Sequence, residues 1–172
     1  MTDPAKPPPR PPLDWSGNAP MPFTRESSIR LDDHGHFFHD GERVEHPGLE
    51  RAMHRWLRRH PTNGRWVLEN GWDWCYVTVD VAAFFVRSAR VEGDHIEGLL
   101  SDGDDVEIAP STLRMDRDGA LWCDVHGDRE GGPFPARFDA YATAALGDAI
   151  EERDGALVIT VGGTRMTIAD RS

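Results

Sequence analysis

The sequence predicts an α+β protein of two related hairpin–helix–hairpin (ββαββ) halves joined by a three-strand antiparallel segment, with about two helices and eleven strands in all. Three observations point there. The stretch "IRLDDHGHFFHD" at 29–40 returns 84 positions later as "LRMDRDGALWCD" at 113–124. Turn pairs such as His34-Gly35, Asp40-Gly41, Asn63-Gly64, Asp118-Gly119 and Asp154-Gly155 punctuate the chain between apolar or alternating runs. Pairs of this kind supply the positive φ angles that tight hairpins need. Against that rhythm only two stretches carry helical spacing.

Residues 1–22 hold most of the thirteen prolines and read as a disordered, solvated tail, although "PPPRPP" also suits an aromatic groove on a partner. The first half, 23–82, is expected to have strands at 28–33, 36–40, 65–70 and 73–79 around a helix over 47–60. There Leu49, Met53, Trp56, Leu57 and His60 form one stripe. Pro47 suits the first helical turn, and Pro61 with Asn63-Gly64 ends the helix. A connecting meander, 83–110, follows with strands at 83–92, 95–101 and 104–109. The second half, 111–172, repeats the plan with strands at 112–117, 120–125, 156–161 and 164–169. Its helix is expected over 133–151, on a stripe that includes Phe134, Phe138, Tyr141 and Leu146.

The echo itself has a constructional reading. With His34-Gly35 as a two-residue turn, Leu31 faces Phe38 and Arg30 faces His39; the same register pairs Met115 with Trp122. Each Asp then accepts hydrogen bonds from turn amides.

Composition narrows function. A net charge of −11 repels nucleic-acid phosphates and anionic membranes, so neither is an expected partner. The longest apolar run, Val81 to Val86, is far too short to span a bilayer, which takes about 20 residues. Nothing at the N-terminus reads as a secretory signal, and two cysteines do not make a disulfide framework. A cytoplasmic location follows as the expectation.

No phosphate-binding glycine loop, nucleophile elbow or zinc-protease motif is present, so no catalytic residues, cofactor or metal are assigned. His34, His36 and His39 invite a zinc reading, but alternation along the strand points them apart. Cys75 and Cys123 sit among aromatic neighbours and read as inert buried thiols. The sharpest candidate is a basic stripe on the first helix. Arg51, Arg55 and Arg58 could hold a carboxylate or phosphate bidentately, or lie against the acidic "SDGDDVE" of the meander. Trp72 and Trp74 alternate onto one strand face and mark a partner surface wherever they are exposed. The expectation is a non-enzymatic binding or regulatory module for a small anion, an acidic peptide or a protein. An assembly subunit and a metal-assisted enzyme are the alternatives.

The stretch "DDHGHFFHDGERVEHPGLERAMHRWL" resembles a bacterial family, domain-of-unknown-function family 1285, through Gly35, Phe37, His39, Gly41, Val44, Leu49 and Trp56. The segment "GRWVLENGWDWCYVTVDVAAFFV" is similar to a second stretch of that family. The family's acid-x-Pro-Phe segment becomes Asp80-Val81-Ala82-Ala83-Phe84 here, without the proline. The segment "WLRRHPTNGRW" also resembles uncharacterised protein family 0598. The first resemblance implies an α+β fold with two related halves and a regulatory or signalling role, with no known catalytic residues.

Overall fold

A computed structural model of the chain describes residues 12–17 and 24–172. These residues form an α+β fold. In chain order come β1 (Arg30–Leu31), β2 (Phe37–His39), β3 (Glu42–Arg43), α1 (Pro47–Trp56), β4 (Leu57–Arg59), β5 (Trp66–Glu69), β6 (Trp74–Tyr76) and β7 (Thr78–Val79). The meander follows as β8 (Phe84–Glu92), β9 (His95–Leu100) and β10 (Asp105–Ile108). The remainder gives β11 (Arg114–Met115), β12 (Leu121–Val125), β13 (Phe134–Phe138), α2 (Ala140–Ala145), β14 (Ile150–Arg153), β15 (Ala156–Val161), β16 (Thr164–Thr167) and β17 (Ala169–Asp170).

The repeated motif builds the same turn twice. Asp32 N donates to His36 O at 3.0 Å, and Gly35 N donates to Asp32 O at 3.2 Å. The Asp32 Oδ1 atom accepts from the amides of His34 (3.0 Å) and His36 (2.8 Å). Asp116 does likewise with Ala120 and Gly119, its Oδ1 accepting from Asp118 N (3.0 Å) and Ala120 N (2.8 Å). The loop therefore holds three residues, not two, with its glycine in the left-handed region at φ 80° in both copies. That corrects the expected register by one. Leu31 pairs with Phe37 and Arg30 with Phe38, while Met115 pairs with Leu121 and Arg114 with Trp122. A one-residue shift exchanges faces, so Phe37 rather than His36 enters the core.

Both helices are shorter than expected. His46 caps α1 through Nδ1, which accepts from Leu49 N at 3.2 Å. The helix ends at Trp56 because the Pro61–Gly64 turn recruits the next residues into a hairpin, pairing Leu57 with Leu68 and Arg59 with Trp66. Residues 134–138 form β13, whose alternating burial has period two. Asp139 then caps α2, its Oδ1 accepting from Ala142 N at 2.8 Å.

The largest sheet has the order β10-β9-β8-β13-β12-β11-β17. The meander is thus bonded to the second half through the parallel β8–β13 pairing. Phe84, Phe85 and Val86 are all buried, so both faces of β8 are covered. One apolar cluster runs from Leu31 and Phe37 through these residues to Trp122, Phe134 and Ile159. The smaller sheets are β3-β2-β1-β7, β4-β5-β6 and β14-β15-β16.

The first strand of each copy of the motif is also met by a later, parallel strand. β7 lies parallel to β1, with Thr78 N on Ile29 O and Asp80 N on Leu31 O, both at 3.0 Å. β17 lies parallel to β11, with Ala169 N on Leu113 O at 3.4 Å and Arg171 N on Met115 O at 2.8 Å.

Most of the expected proline tail, residues 1–11 and 18–22, lies outside the described residues. Residues 12–17 lie against the fold, where Trp15 meets Trp74 and His60.

Candidate functional site

The three arginines of the expected stripe part company. Arg51 and Arg55 are on α1, but Arg58 is on β4, so helical spacing no longer aligns it with them. Arg55 Nε donates to Asp102 O at 2.8 Å, and its Nη2 lies 3.9 Å from Asp104 Oδ1. That is the internal neutralisation by "SDGDDVE". Arg58 Nε lies 3.7 Å from Glu69 Oε2. Arg51 differs: among the described residues its guanidinium has no hydrogen bond or ion pair.

Arg51 lines a cavity of about 360 Å³ with Glu50, His54, Arg87 and Ser101. Arg87 also lines a second cavity, of about 430 Å³, together with Asp33, His36, Arg137 and Asp139. The two spaces share Arg87 and lie between the Asp32 turn, the N-terminal half of α1 and the main sheet. Arg87 is fixed by its Nη1 donating to His34 O (3.0 Å) and its Nη2 to Gly35 O (3.3 Å). Burial pulls its pKa down, partly offset by Asp139, Glu50 and Asp32. Of the acids lining the cleft, Glu50 and Asp139 are already engaged, while Asp33 has, among the described residues, only His34 Nδ1 at 3.6 Å. Glu50 Oε1 is 3.1 Å from His36 Nδ1, and Asp139 caps α2.

At the back of the first cavity His54 is 1% exposed, and burial holds its pKa below the usual imidazole value. Its Nε2 is 3.1 Å from Gly35 O, while Nδ1 is 3.2 Å from Ser101 Oγ and 3.3 Å from Ala83 O. A neutral ring donates once. We assign that donation to Gly35 O, which leaves Nδ1 to accept from the Ser101 hydroxyl.

The two tryptophans separate as well. Trp72 is 73% exposed and Trp74 only 3%. Trp74 forms part of a cleft of about 380 Å³ with Leu49, Met53 and Trp56, edged by His39, Asp73 and Cys75. Both thiols are free; burial raises the pKa of each, to about 12 for Cys123.

His34, His36 and His39 do not converge: their nearest acidic partners are Asp33, Glu50 and Asp40 respectively. A different set does. One ligand atom from each of Asp102, Asp104 and His126 falls within 4.8 Å of the others. Arg129 fills that position, its Nη2 at 2.9 Å from Asp102 Oδ2 and 2.6 Å from Asp104 Oδ2. A guanidinium stands where a cation would. Sequence reasoning missed Arg87, Arg137 and this network because their members come from separate strands and loops.

No family model and no curated protein matches the chain. Two solved structures do. One is a DUF1285 family protein from Silicibacter pomeroyi DSS-3, 20% identical, with a TM-score of 0.65 over 84% of this chain and 80% of that one. The chain has the DUF1285 fold. The other is a DUF1285 family protein from Shewanella baltica OS155, 9% identical, with a TM-score of 0.55 over 70% of this chain and 90% of that one. The family resemblance read from Gly35 to Trp56 therefore holds at the level of the fold. Among the described residues, no helix is long and apolar enough to cross a membrane.

Proposed function

We propose that this chain is a cytoplasmic binding module for a small anionic ligand, seated in the cleft lined by Arg51 and Arg87. The observation that carries the reading is the Arg51 guanidinium, without a hydrogen-bond or ion-pair partner among the described residues, on the wall of a cavity whose one lining carboxylate, Glu50, already lies against His36. A guanidinium presents a planar fork of donors that matches carboxylate or phosphate oxygens, and partial enclosure strengthens the pairing relative to open solvent. Arg137, on the wall of the adjoining space, offers a further positive group to a ligand that reaches past Arg87. Of the originally expected triad, Arg51 stays in the reading, whereas Arg55 and Arg58 already have acidic neighbours. The cytoplasmic placement rests on the two free thiols.

Isothermal titration of the full chain with inorganic phosphate, pyrophosphate and citrate tests the reading. Binding should weaken about tenfold or more in Arg51→Ala, a loss of one charge-assisted contact, and should be unchanged in Arg58→Ala. Equal affinities in wild type and Arg51→Ala would remove the proposal.

A further inference from the structure

We propose that the aromatic cradle formed by Trp74, His60 and Tyr76 is a docking site for a proline-flanked, tryptophan-bearing peptide of another polypeptide, and that residues 12–17 occupy it in cis. This site is separate from the arginine cleft.

The resident segment shows how the cradle recognises a chain. The Trp15 ring lies 5.4 Å from Trp74 at an interplanar angle of 31°, and 5.4 Å from His60, edge-on at 86°. Tyr76 stands edge-on to Trp74 at 5.2 Å. The Trp74 indole Nε1 donates to the Asp14 carbonyl at 2.8 Å. Asp14 folds back through its carboxylate, which accepts from Ser16 N at 2.9 Å. An aromatic wall plus an indole N–H directed at a main-chain carbonyl suits segments rich in proline, whose nitrogens donate nothing and whose carbonyls are left open. In the sequence Pro11 and Pro12 precede Leu13-Asp14-Trp15.

The cis occupant leaves the cradle incompletely satisfied. His60 is 4% exposed, and its Nδ1 accepts from Thr62 N at 3.3 Å, so Nε2 carries the ring hydrogen. That Nε2 is buried and has no hydrogen-bond partner among the described residues. A buried donor left unpaired costs free energy that an occupant with a suitably placed oxygen would recover. There is space for one, because Trp15 and His60 border a cavity of about 400 Å³ beside Arg58, Arg59 and Glu130. Arg58 already lies 3.7 Å from Glu69 on that wall, so it is Arg59 that would favour an acidic residue next to the aromatic anchor. A competing peptide that keeps the tryptophan and adds an acceptor oxygen opposite His60 Nε2 would make the contacts of the resident segment and one more.

The test uses the full chain and a fluorescently labelled synthetic peptide of residues 9–18 as probe. Anisotropy titrations should show that Trp15→Ala binds the peptide and that the wild-type chain binds it at least tenfold more weakly, because its own segment competes. Trp15→Phe, which keeps an aromatic plug, should fall between them. Adding Trp74→Phe to Trp15→Ala keeps a ring but deletes the indole donor, and should weaken peptide binding. Circular dichroism establishes that Trp15→Ala is folded. If folded Trp15→Ala does not bind the peptide, the docking site is overturned; if it binds no more tightly than wild type, occupation in cis is overturned.

Discussion

Asp102 and His126 meet at 2.8 Å, carboxylate Oδ2 to imidazole Nε2, and so tie the β9–β10 turn to the loop after β12. Asp102 is 0% exposed and also receives Arg129. Burial pushes its pKa up, but the His126 hydrogen bond, the Asp104 amide and the charges of His126 and Arg129 outweigh it, leaving the carboxyl below 3.8. Removing one partner of a buried charged network strands the others. Asp102→Ala is expected to cost about 3–5 kcal/mol in urea unfolding. Because the folded pKa is depressed, the carboxylate's contribution is present above about pH 3.8 and is lost as the pH falls through the folded value. A variant as stable as wild type at pH 7 would show that the network contributes nothing.

His54 acts in the same direction, at a higher pH. Its pKa is lowered from 6.5 mainly by burial, so the unfolded chain takes up a proton that the folded one refuses. Stability should therefore be level above that range and decline as the pH drops below 6.5 towards the lowered folded value. Denaturation midpoints measured between pH 7.5 and 5 would show the slope, and His54→Gln should flatten it.

Gly35 and Gly119 occupy equivalent turns at the same φ of 80°, but in different surroundings. A Cβ on Gly35 would meet Arg87 Nη2 at 2.5 Å and Phe85 Cδ2 at 2.7 Å, whereas one on Gly119 would meet nothing within 4 Å. Gly119→Ala should cost only the left-handed strain, about 1–2 kcal/mol. Gly35→Ala should add a packing penalty of about 1–3 kcal/mol to that. Thermal unfolding of both would separate the two effects; equal costs would contradict the contact.

The paired aspartates make a similar comparison. Asp116 accepts the turn amides and also, through Oδ2, the Trp122 indole at 2.8 Å. Asp32 has no such indole. Asp116→Ala should therefore be the more destabilising, by about 1 kcal/mol for the additional hydrogen bond. Near-UV circular dichroism should report the changed surroundings of Trp122.

The strands around glycine turns were legible because turn chemistry is local: Asp-x-x-Gly determines its own loop. The loop length was not, since two- and three-residue versions share the same residues and differ in which amide the aspartate caps. The helix at 47–56 was readable from its apolar stripe, whereas its last expected turn was lost to the pairing of Arg59 with Trp66 across the Pro61–Gly64 turn. The stretch Phe134–Phe138 carries spacings that serve either a helix or a strand, and only the open edge of β8 decides for the strand. At the site, Arg51 was visible on its helix. Arg87 and Arg137 come from two strands made neighbours by that same pairing, a juxtaposition no local pattern encodes.

The pairing of each copy's first strand with a later, parallel strand has a mechanical consequence. β1 and β7 run parallel, as do β11 and β17, so a pull on the two ends of either segment slides one strand along the other. The connecting hydrogen bonds, such as Thr78 N to Ile29 O and Asp80 N to Leu31 O, then bear the load together instead of opening one at a time. The segments 30–79 and 114–170 are thus each clamped where they begin, and the hairpins and helix inside are shielded from tension until the clamp shears.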